Sequence, residues 1–258
     1  MTLSVVLITQ NEEHNLPPTL ESVLPLVRDG KGEIIVVDSG STDHTVEIAQ
    51  SFGAKVFVEK WKGFAGQKNS AMDKASMDWV LQLDADERLE RDLATEIDSA
   101  LKDSTVVRGF WIPRKNFFLG HWIRHGGFYP DPKLRLIRRG AGRFEEYGAH
   151  PTMKVDGPTG ELSNALVHNA YPTLRGYIDH MNSYSSMGAE VAAAKGHRRF
   201  SVSNIAIRPL LTFIYNYFFR LGFLDGREGL LLHLYHSAYV SWKYAKAWEL
   251  SRPKTMTD

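Results

Sequence analysis

Trp79-Val80-Leu81-Gln82-Leu83-Asp84-Ala85-Asp86-Glu87 is the stretch that decides the fold. A short apolar run ends abruptly in three acids. Such a run reads as a buried strand, because strands covered on both faces are near-continuously apolar. Carboxylates at its carboxyl end sit where open α/β sheets bind ligands. Asp84 and Asp86, separated by one residue, can turn toward the same cation. Hard oxygen ligands of this kind suit Mg2+ or Mn2+ carrying a phosphate-bearing substrate. A strand followed by a solvated acidic turn would read the same way, and short acidic motifs recur by chance, so the flanking chain has to decide.

Upstream, strand and helix signals alternate. Leu3–Thr9 is a β-rich apolar run. Leu16, Leu20, Val23, Leu24 and Val27 recur at helical spacing, with Pro17 and Pro18 where a first turn tolerates proline. Ile34–Val37 reads as a second buried strand, and Ser41 or Thr42 can cap a helix running to about Phe52. Lys55–Val58 reads as a third strand, Gln67–Ala75 as a short helix, and Arg91–Leu101 as an amphipathic helix after the acidic turn. Alternating βαβα units predict a parallel sheet with right-handed crossovers. After Val106 the pattern changes to short strands, Val107–Pro113, Lys133–Arg138 and Met153–Val155, among Gly- and Pro-containing loops. Helical period returns near Thr173 through Tyr177, Met181, Tyr184, Gly188 and Val191. Two apolar stretches follow, Pro209–Leu221 and Gly229–Trp248.

The 258 residues allow one large domain or one domain with a substantial extension. With a net charge of +1, bulk charge selects no nucleic-acid partner, and none is expected. The absence of cysteine excludes disulfides, thiolate catalysis and thiolate metal sites, and fits a reducing compartment. Met1–Val6 lacks a basic leader and is expected to be a first strand, not a signal peptide. No run of about 18 uninterrupted apolar residues predicts a membrane-spanning helix. Phe213, Ile214, Tyr215, Tyr217, Phe218 and Phe219, flanked by Arg208 and Arg220, suit either the interfacial plane of a membrane or packing on another surface.

Three strand ends carry polar clusters: Thr9–Glu12, Asp38–Asp43 and Asp84–Glu87. In a parallel sheet all three lie along one carboxyl edge, which describes a crevice. Carboxylates there can accept hydrogen bonds from a nucleobase and ribose, while a metal on the Asp pair holds a diphosphate. Neither the Gly-x-Gly-x-x-Gly turn of dinucleotide folds nor a Gly-Lys-Ser/Thr phosphate loop occurs in the first half.

These motifs resemble family 2 glycosyltransferases of the GT-A fold: Ser4–Leu16 (SVVLITQNEEHNL), Ile34–Thr45 (IIVVDSGSTDHT), Gly66–Ala71 (GQKNSA) and Trp79–Glu87 (WVLQLDADE), in the family's order. More loosely, Phe128–Arg139, Gly142–His150, Leu166-Val167-His168 and Gly222–Gly229 resemble the lipopolysaccharide core branch, whose members often carry Val-His-Glu where this chain has Ala149-His150-Pro151. The resemblance implies an α/β, GT-A catalytic domain over 1–170 with a mostly parallel central sheet. Its nucleotide-sugar half spans 1–105 and its acceptor half 106–170, followed by a helical, possible membrane-associated extension over 171–258. It implies inverting transfer of a hexose, glucose from UDP-glucose in first place, to a lipid-linked bacterial glycan such as inner-core heptose. The place implied is cytoplasmic, peripheral on the inner membrane.

Residue by residue, the resemblance puts Thr9, Asn11 and Glu12 in the nucleoside pocket, Asp38 on the base, and Lys68 facing the base or diphosphate. Asp84 would reach ribose and metal, Asp86 the metal directly, and Glu87 would stand behind them. An inverting transferase needs one general base. Asp131 is the first candidate, with Glu145 and Glu146 as rivals. Arg135, Arg138 and Arg139 could clamp phosphates, and His150 or His168 could complete the metal shell. A polyprenyl-phosphate transferase, a nucleotidyltransferase and a non-catalytic nucleotide-sugar-binding module are the alternatives.

Overall fold

The apolar runs become the centre of a seven-stranded sheet. In the computed structural model, which describes residues 1–103, 106–147 and 150–252, the strands are β1 (Leu3–Thr9), β2 (Gly32–Asp38), β3 (Lys55–Val58), β4 (Trp79–Asp84), β5 (Glu87–Arg88), β6 (Gly109–Ile112), β7 (Arg114–Phe118), β8 (His121–Trp122), β9 (Lys133–Arg138), β10 (Gly142–Tyr147), β11 (His150–Val155), β12 (Thr159–Glu161) and β13 (Leu166–Tyr171). The helices are α1 (Leu16–Val27), α2 (Thr45–Ser51), α3 (Gly63–Asp73), α4 (Arg91–Asp103), α5 (Leu174–Ala194), α6 (Arg208–Ile214) and α7 (Gly226–Glu249). The main sheet runs β12-β6-β9-β4-β1-β2-β3. β1 through β4 pair in parallel, whereas β9 runs antiparallel to both β4 and β6.

Two compact units emerge, residues 1–115 with 130–169, and residues 116–129 with 170–258. In the first, strand alternation sorts the core into two faces. Leu3, Val5 and Leu7 pack with Leu16, Leu20 and Val23 of α1 and with Leu93 and Ile97 of α4. Val6, Ile35 and Val37 pack with Ala71 and Met72 of α3 and with Phe144 and Met153 of the β10–β11 hairpin. In the second, α5 and α7 bury Ala189, Ala192, Val240 and Ala247 together, and Phe118, Tyr177, Met181 and Leu232 form a further cluster. The segment 116–129, read from sequence as part of an acceptor half, groups with these helices. Its hairpin pairs Phe117 with Trp122 and turns at Leu119-Gly120, both at positive φ, the type I′ signature.

Three local expectations change. α2 starts at Thr45, not after Ser41 or Thr42, because Asp43 accepts the Thr45 N–H at 3.0 Å while Ser41 and Thr42 turn to Asp38 and Asn11. α3 starts at Gly63, four residues early; Gly63-Phe64-Ala65-Gly66 reads as a loop because of its glycines. On α5 the buried face is Tyr177, Met181, Ser185 and Ala189, so small residues and not Tyr184 or Gly188 make the seam. Thr173 caps the helix, its Oγ1 accepting from the Gly176 N–H at 3.1 Å.

A buried acid ties the amino end of the sheet. Glu33 accepts from Ser4 Oγ at 2.7 Å, from Lys55 Nζ at 2.7 Å and from the N–H and hydroxyl of Ser76. Burial alone would raise its pKa; Lys55, Ser4 and Ser76 outweigh burial and bring it down to about 2. A depressed carboxyl stabilises the fold above its unfolded pKa near 4.5, and that contribution drains away as pH falls toward about 2. Glu33→Gln should therefore cost about 1–3 kcal/mol at pH 7 and much less near pH 3. Urea unfolding of both proteins at the two pH values checks this; an equal loss at both would refute it.

Candidate active site

Register places the three polar strand ends side by side. Thr9 pairs with Asp38 across β1–β2, and Ile8 with Asp84 across β1–β4. β1 is the point from which the chain proceeds to neighbours on either side, the usual ligand crevice of such sheets. Asp38 is fully buried. It accepts from Thr9 Oγ1 at 2.8 Å, the Gly40 and Ser41 N–H groups at 2.9 and 2.7 Å, and Ser41 Oγ at 2.5 Å. Those four bonds fill a carboxylate's acceptor capacity, so Asp38 shapes the 39–42 loop. Asn11, at φ +55°, accepts the Thr42 N–H at 2.8 Å and donates its own N–H to Ser41 Oγ at 2.8 Å.

Below that rim runs a chain of alternating charges. Lys68 Nζ donates to Asp84 Oδ1 at 2.5 Å, and Arg135 Nη2 reaches Asp84 Oδ2 and Glu87 Oε1, both at 2.6 Å. Arg135 Nη1 donates to Gln82 Oε1, and Glu87 Oε2 accepts the Asp84 N–H at 3.0 Å. Arg114 Nη1 reaches Glu87 Oε1 at 2.9 Å, while its Nε and Nη2 hold Asp131 Oδ2 at 3.0 and 2.7 Å. Lys133 Nζ lies 2.8 Å from Asp131 Oδ1. Burial alone would raise the Asp84 and Glu87 carboxyls; Arg135 foremost, with Lys68 at Asp84 and Arg114 at Glu87, holds both below the usual range. Burial pulls the Lys68 amine down, with Asp84 opposing it.

Asp86 stands apart from this chain. Its Oδ2 faces His168 Nε2 at 3.2 Å, and its carbonyl accepts the Asn169 N–H at 3.0 Å. Glu12 is near it: burial first, then the Asp86, Asp43 and Asp84 charges, push the Glu12 carboxyl up, against a bond from Asn15. Among the described residues no three His, Cys, Asp or Glu side chains form a complete metal cage. Two ligand atoms about 2.1 Å from one ion at right angles would lie about 3 Å apart, so the Asp86–His168 spacing fits a shared cation. Mg2+ characteristically takes one or two protein ligands and completes its shell with substrate phosphates and water. Asp84, held by Lys68 and Arg135, has less to give.

The sequence candidates separate accordingly. Thr9, Asn11, Glu12, Asp38, Lys68, Asp84 and Asp86 all belong to the strand-end region. Asp131, at φ +40°, joins it through Arg114. Glu145 is exposed and paired with Lys154. The side chains of Glu146 and His150, and Ala149 altogether, lie outside the described residues. Arg138 and Arg139 do not reach the crevice. β9 is antiparallel, so Arg138 pairs with Trp79 at the opposite end of β4, donating to Val107 O, and Arg139 donates to Met77 O. Arg114 escaped the sequence reading, since nothing local marks it.

Residues 4–155 match the family described as Glycosyl transferase family 2. The chain is also 31% identical over 233 residues to the lipopolysaccharide core biosynthesis glycosyltransferase LpsC of Rhizobium meliloti (strain 1021), covering 88% of this chain and 82% of that one. This chain belongs to glycosyl transferase family 2. It is a glycosyltransferase of the GT-A type. Its fold is similar to a mannosyltransferase from Pyrobaculum calidifontis solved with GDP-Man and Mn2+, with a TM-score of 0.55, 18% identity, and coverage of 95% of this chain and 86% of that one. A glucosyl-3-phosphoglycerate synthase from Mycobacterium tuberculosis, solved with Mn2+, UDP and phosphoglyceric acid, gives a TM-score of 0.50 at 19% identity, covering 74% and 77%.

The energetics of the Arg135 bridge are testable. Arg135→Met leaves fully buried Glu87 and half-buried Asp84 without their largest counter-charge, which should cost about 3–5 kcal/mol. Arg135→Lys should recover only part, since it keeps charge but not the two-pronged reach. Guanidinium unfolding reads both, and a loss under about 1 kcal/mol would put the bridge on a par with exposed ion pairs.

Proposed function

We propose that this glycosyltransferase moves a hexose, with inversion, from a uridine diphospho-sugar, UDP-glucose in first place, to a lipid-linked bacterial glycan. The leading acceptor is inner-core heptose of lipopolysaccharide, and the place is the cytoplasmic face of the inner membrane. The observation that carries the reading is the Asp86–His168 pair at 3.2 Å, set at the carboxyl edge among the Thr9, Asp38 and Asp84 strand ends. The kinship with a lipopolysaccharide core glycosyltransferase supports the acceptor class.

In this reading Thr9, Asn11, Glu12 and Asp38 form the nucleoside side of the crevice, Asp38 by fixing the 39–42 loop. Lys68 and Asp84 stand beside the ribose and diphosphate. Asp86 and His168 hold Mg2+ or Mn2+, with Asp84 close by. When bound, the ion neutralises charge on the departing diphosphate. The acceptor hydroxyl oxygen bonds to the anomeric carbon as the bond to the diphosphate oxygen breaks, and the hydroxyl proton passes to Asp131. Arg114 and Lys133 hold the Asp131 carboxylate from two sides and fix its direction.

UDP release from a panel of UDP- and GDP-sugars, with Mn2+, Mg2+ or chelator, tests the reading. One UDP-sugar should stand out, with release dependent on metal. Asp86→Ala and His168→Ala should each weaken Mn2+-dependent UDP binding about tenfold or more. Asp131→Asn should lower transfer about 10²–10⁴-fold while UDP binding survives. Full turnover by Asp131→Asn would remove that residue as base. No release and no metal-dependent UDP binding with any donor would leave a non-catalytic binding protein.

A further inference from the structure

An ordinary surface helix turns its apolar stripe inward. The helical segment 203–219 does the reverse. Leu210, Leu211, Tyr215, Phe218 and Phe219 follow steps of one, four, three and one, which is a single helical face, and all five are exposed, Phe219 at 76%. The inward positions are buried Pro209 and half-buried Thr212, Phe213, Ile214, Asn216 and Tyr217, a mixed set. The next loop continues the patch with exposed Leu221, Phe223 and Leu224. A contiguous apolar surface of this kind marks a contact site.

The patch is held rigidly. π turns at Ser203–Ile207 and Tyr215–Phe219 flank α6, and such turns concentrate at functional sites. Asp225, 2% exposed, accepts the Arg124 and His125 N–H groups at 3.1 and 2.9 Å and faces His125 Nδ1 at 2.9 Å. Gly222 lies on the buried His233 ring, where a Cβ would come within 2.3 Å of Nε2. The loop therefore cannot fold its leucines back without breaking these contacts.

Charge identifies the occupant. From Lys195 to Leu224 the chain has five cations, Lys195, Arg198, Arg199, Arg208 and Arg220, and no aspartate or glutamate. Lys195, Arg198 and Arg199 are exposed just ahead of the apolar stripe. A second copy docking by two-fold symmetry would set these same cations against themselves. An anionic phospholipid surface complements both features, taking the apolar face into the acyl boundary and the cations at the headgroups. Among the described residues no helix is long and apolar enough to cross a membrane, so the segment would lie in the interface plane.

We propose that residues 195–224 form a membrane-docking surface for anionic phospholipid, with Leu210, Leu211, Phe218, Phe219, Phe223 and Leu224 entering the interface and the exposed Lys195, Arg198 and Arg199 binding headgroups. It rests on the proposed lipid-linked acceptor for its purpose, and on this unit's own surface for its geometry.

Vesicle flotation of the full chain tests it. Wild type should float with phosphatidylethanolamine–phosphatidylglycerol vesicles and bind phosphatidylcholine vesicles about tenfold more weakly or worse, with binding falling as salt rises. Phe218→Glu/Phe219→Glu, at exposed positions, should abolish flotation, and Arg198→Ala/Arg199→Ala should weaken it selectively on anionic vesicles. Both variants should keep the wild-type thermal transition and metal-dependent UDP binding. Wild type that stays unbound, or a Glu variant that floats normally, overturns the proposal. So does a wild-type oligomer that the Glu variant dissociates without any vesicle binding, which makes the patch a protein interface. Wild type that binds UDP but does not float would sink only this proposal, whereas wild type that floats without binding UDP would sink only the transferase reading.

Discussion

Arg135 sits at 5% exposure with one nitrogen between Asp84 and Glu87 and another on Gln82, and the first unit is arranged around that bridge. A fully buried carboxylate such as Glu87, with half-buried Asp84 beside it, cannot stay ionised without compensation. Lys68 from α3 and Arg114 from β7 add their charges at the two ends. The result links Asp84 to Asp131 through alternating partners, residues far apart in sequence that have to be brought to one edge by different strands. β9 must run antiparallel for this to work: that direction puts Lys133 and Arg135 at the carboxyl edge of β4 and sends Arg138 to the other end.

Much of this was legible in the chain because it is local. β1, α1, β3 and β9 begin and end where apolar or β-branched runs and turn residues say, β1, α1 and β9 because each is fixed by its own burial pattern. Thr9, Glu12, Asp84 and Asp86 could be found because strand ends in a parallel sheet share an edge. What was not legible depends on long-range pairing. β5 meets β13 with His168 opposite Glu87, 81 residues on, and no local signal marks the two-residue β5 as its partner. Arg138 and Arg139 looked equivalent to Arg135 because a sequence does not state which way a strand runs.

The helical unit shows a different gap between sequence and structure. The composition of 213–221 fits a packed helix and a lipid-facing helix equally well, because both need aromatic and aliphatic side chains. The distinction is directional. Only the burial of Pro209 and the exposure of Leu210, Leu211, Phe218 and Phe219 say which side the stripe takes. Buried glycine contacts at His233 then explain why the arrangement does not relax: the ring occupies the volume a side chain on Gly222 or Gly126 would need.

Asp84 and Asp86 are the same residue type, two positions apart, yet their surroundings give them different work. Asp84 is the last residue of β4, inside the sheet's register, where Lys68 and Arg135 flank it. Asp86 lies in the two-residue turn between β4 and β5, outside the register. That turn is what reverses the chain into β5, and β5 in turn pairs with the strand that carries His168. The carboxylate in the sheet is therefore held by two protein cations, and the one in the turn faces an imidazole. Two like carboxylates driven apart by environment are a recurrent device for dividing roles at a site. Here the division follows from where a strand ends: Asp84 is fixed by Lys68 and Arg135 within the register, and Asp86 stands in the turn against His168.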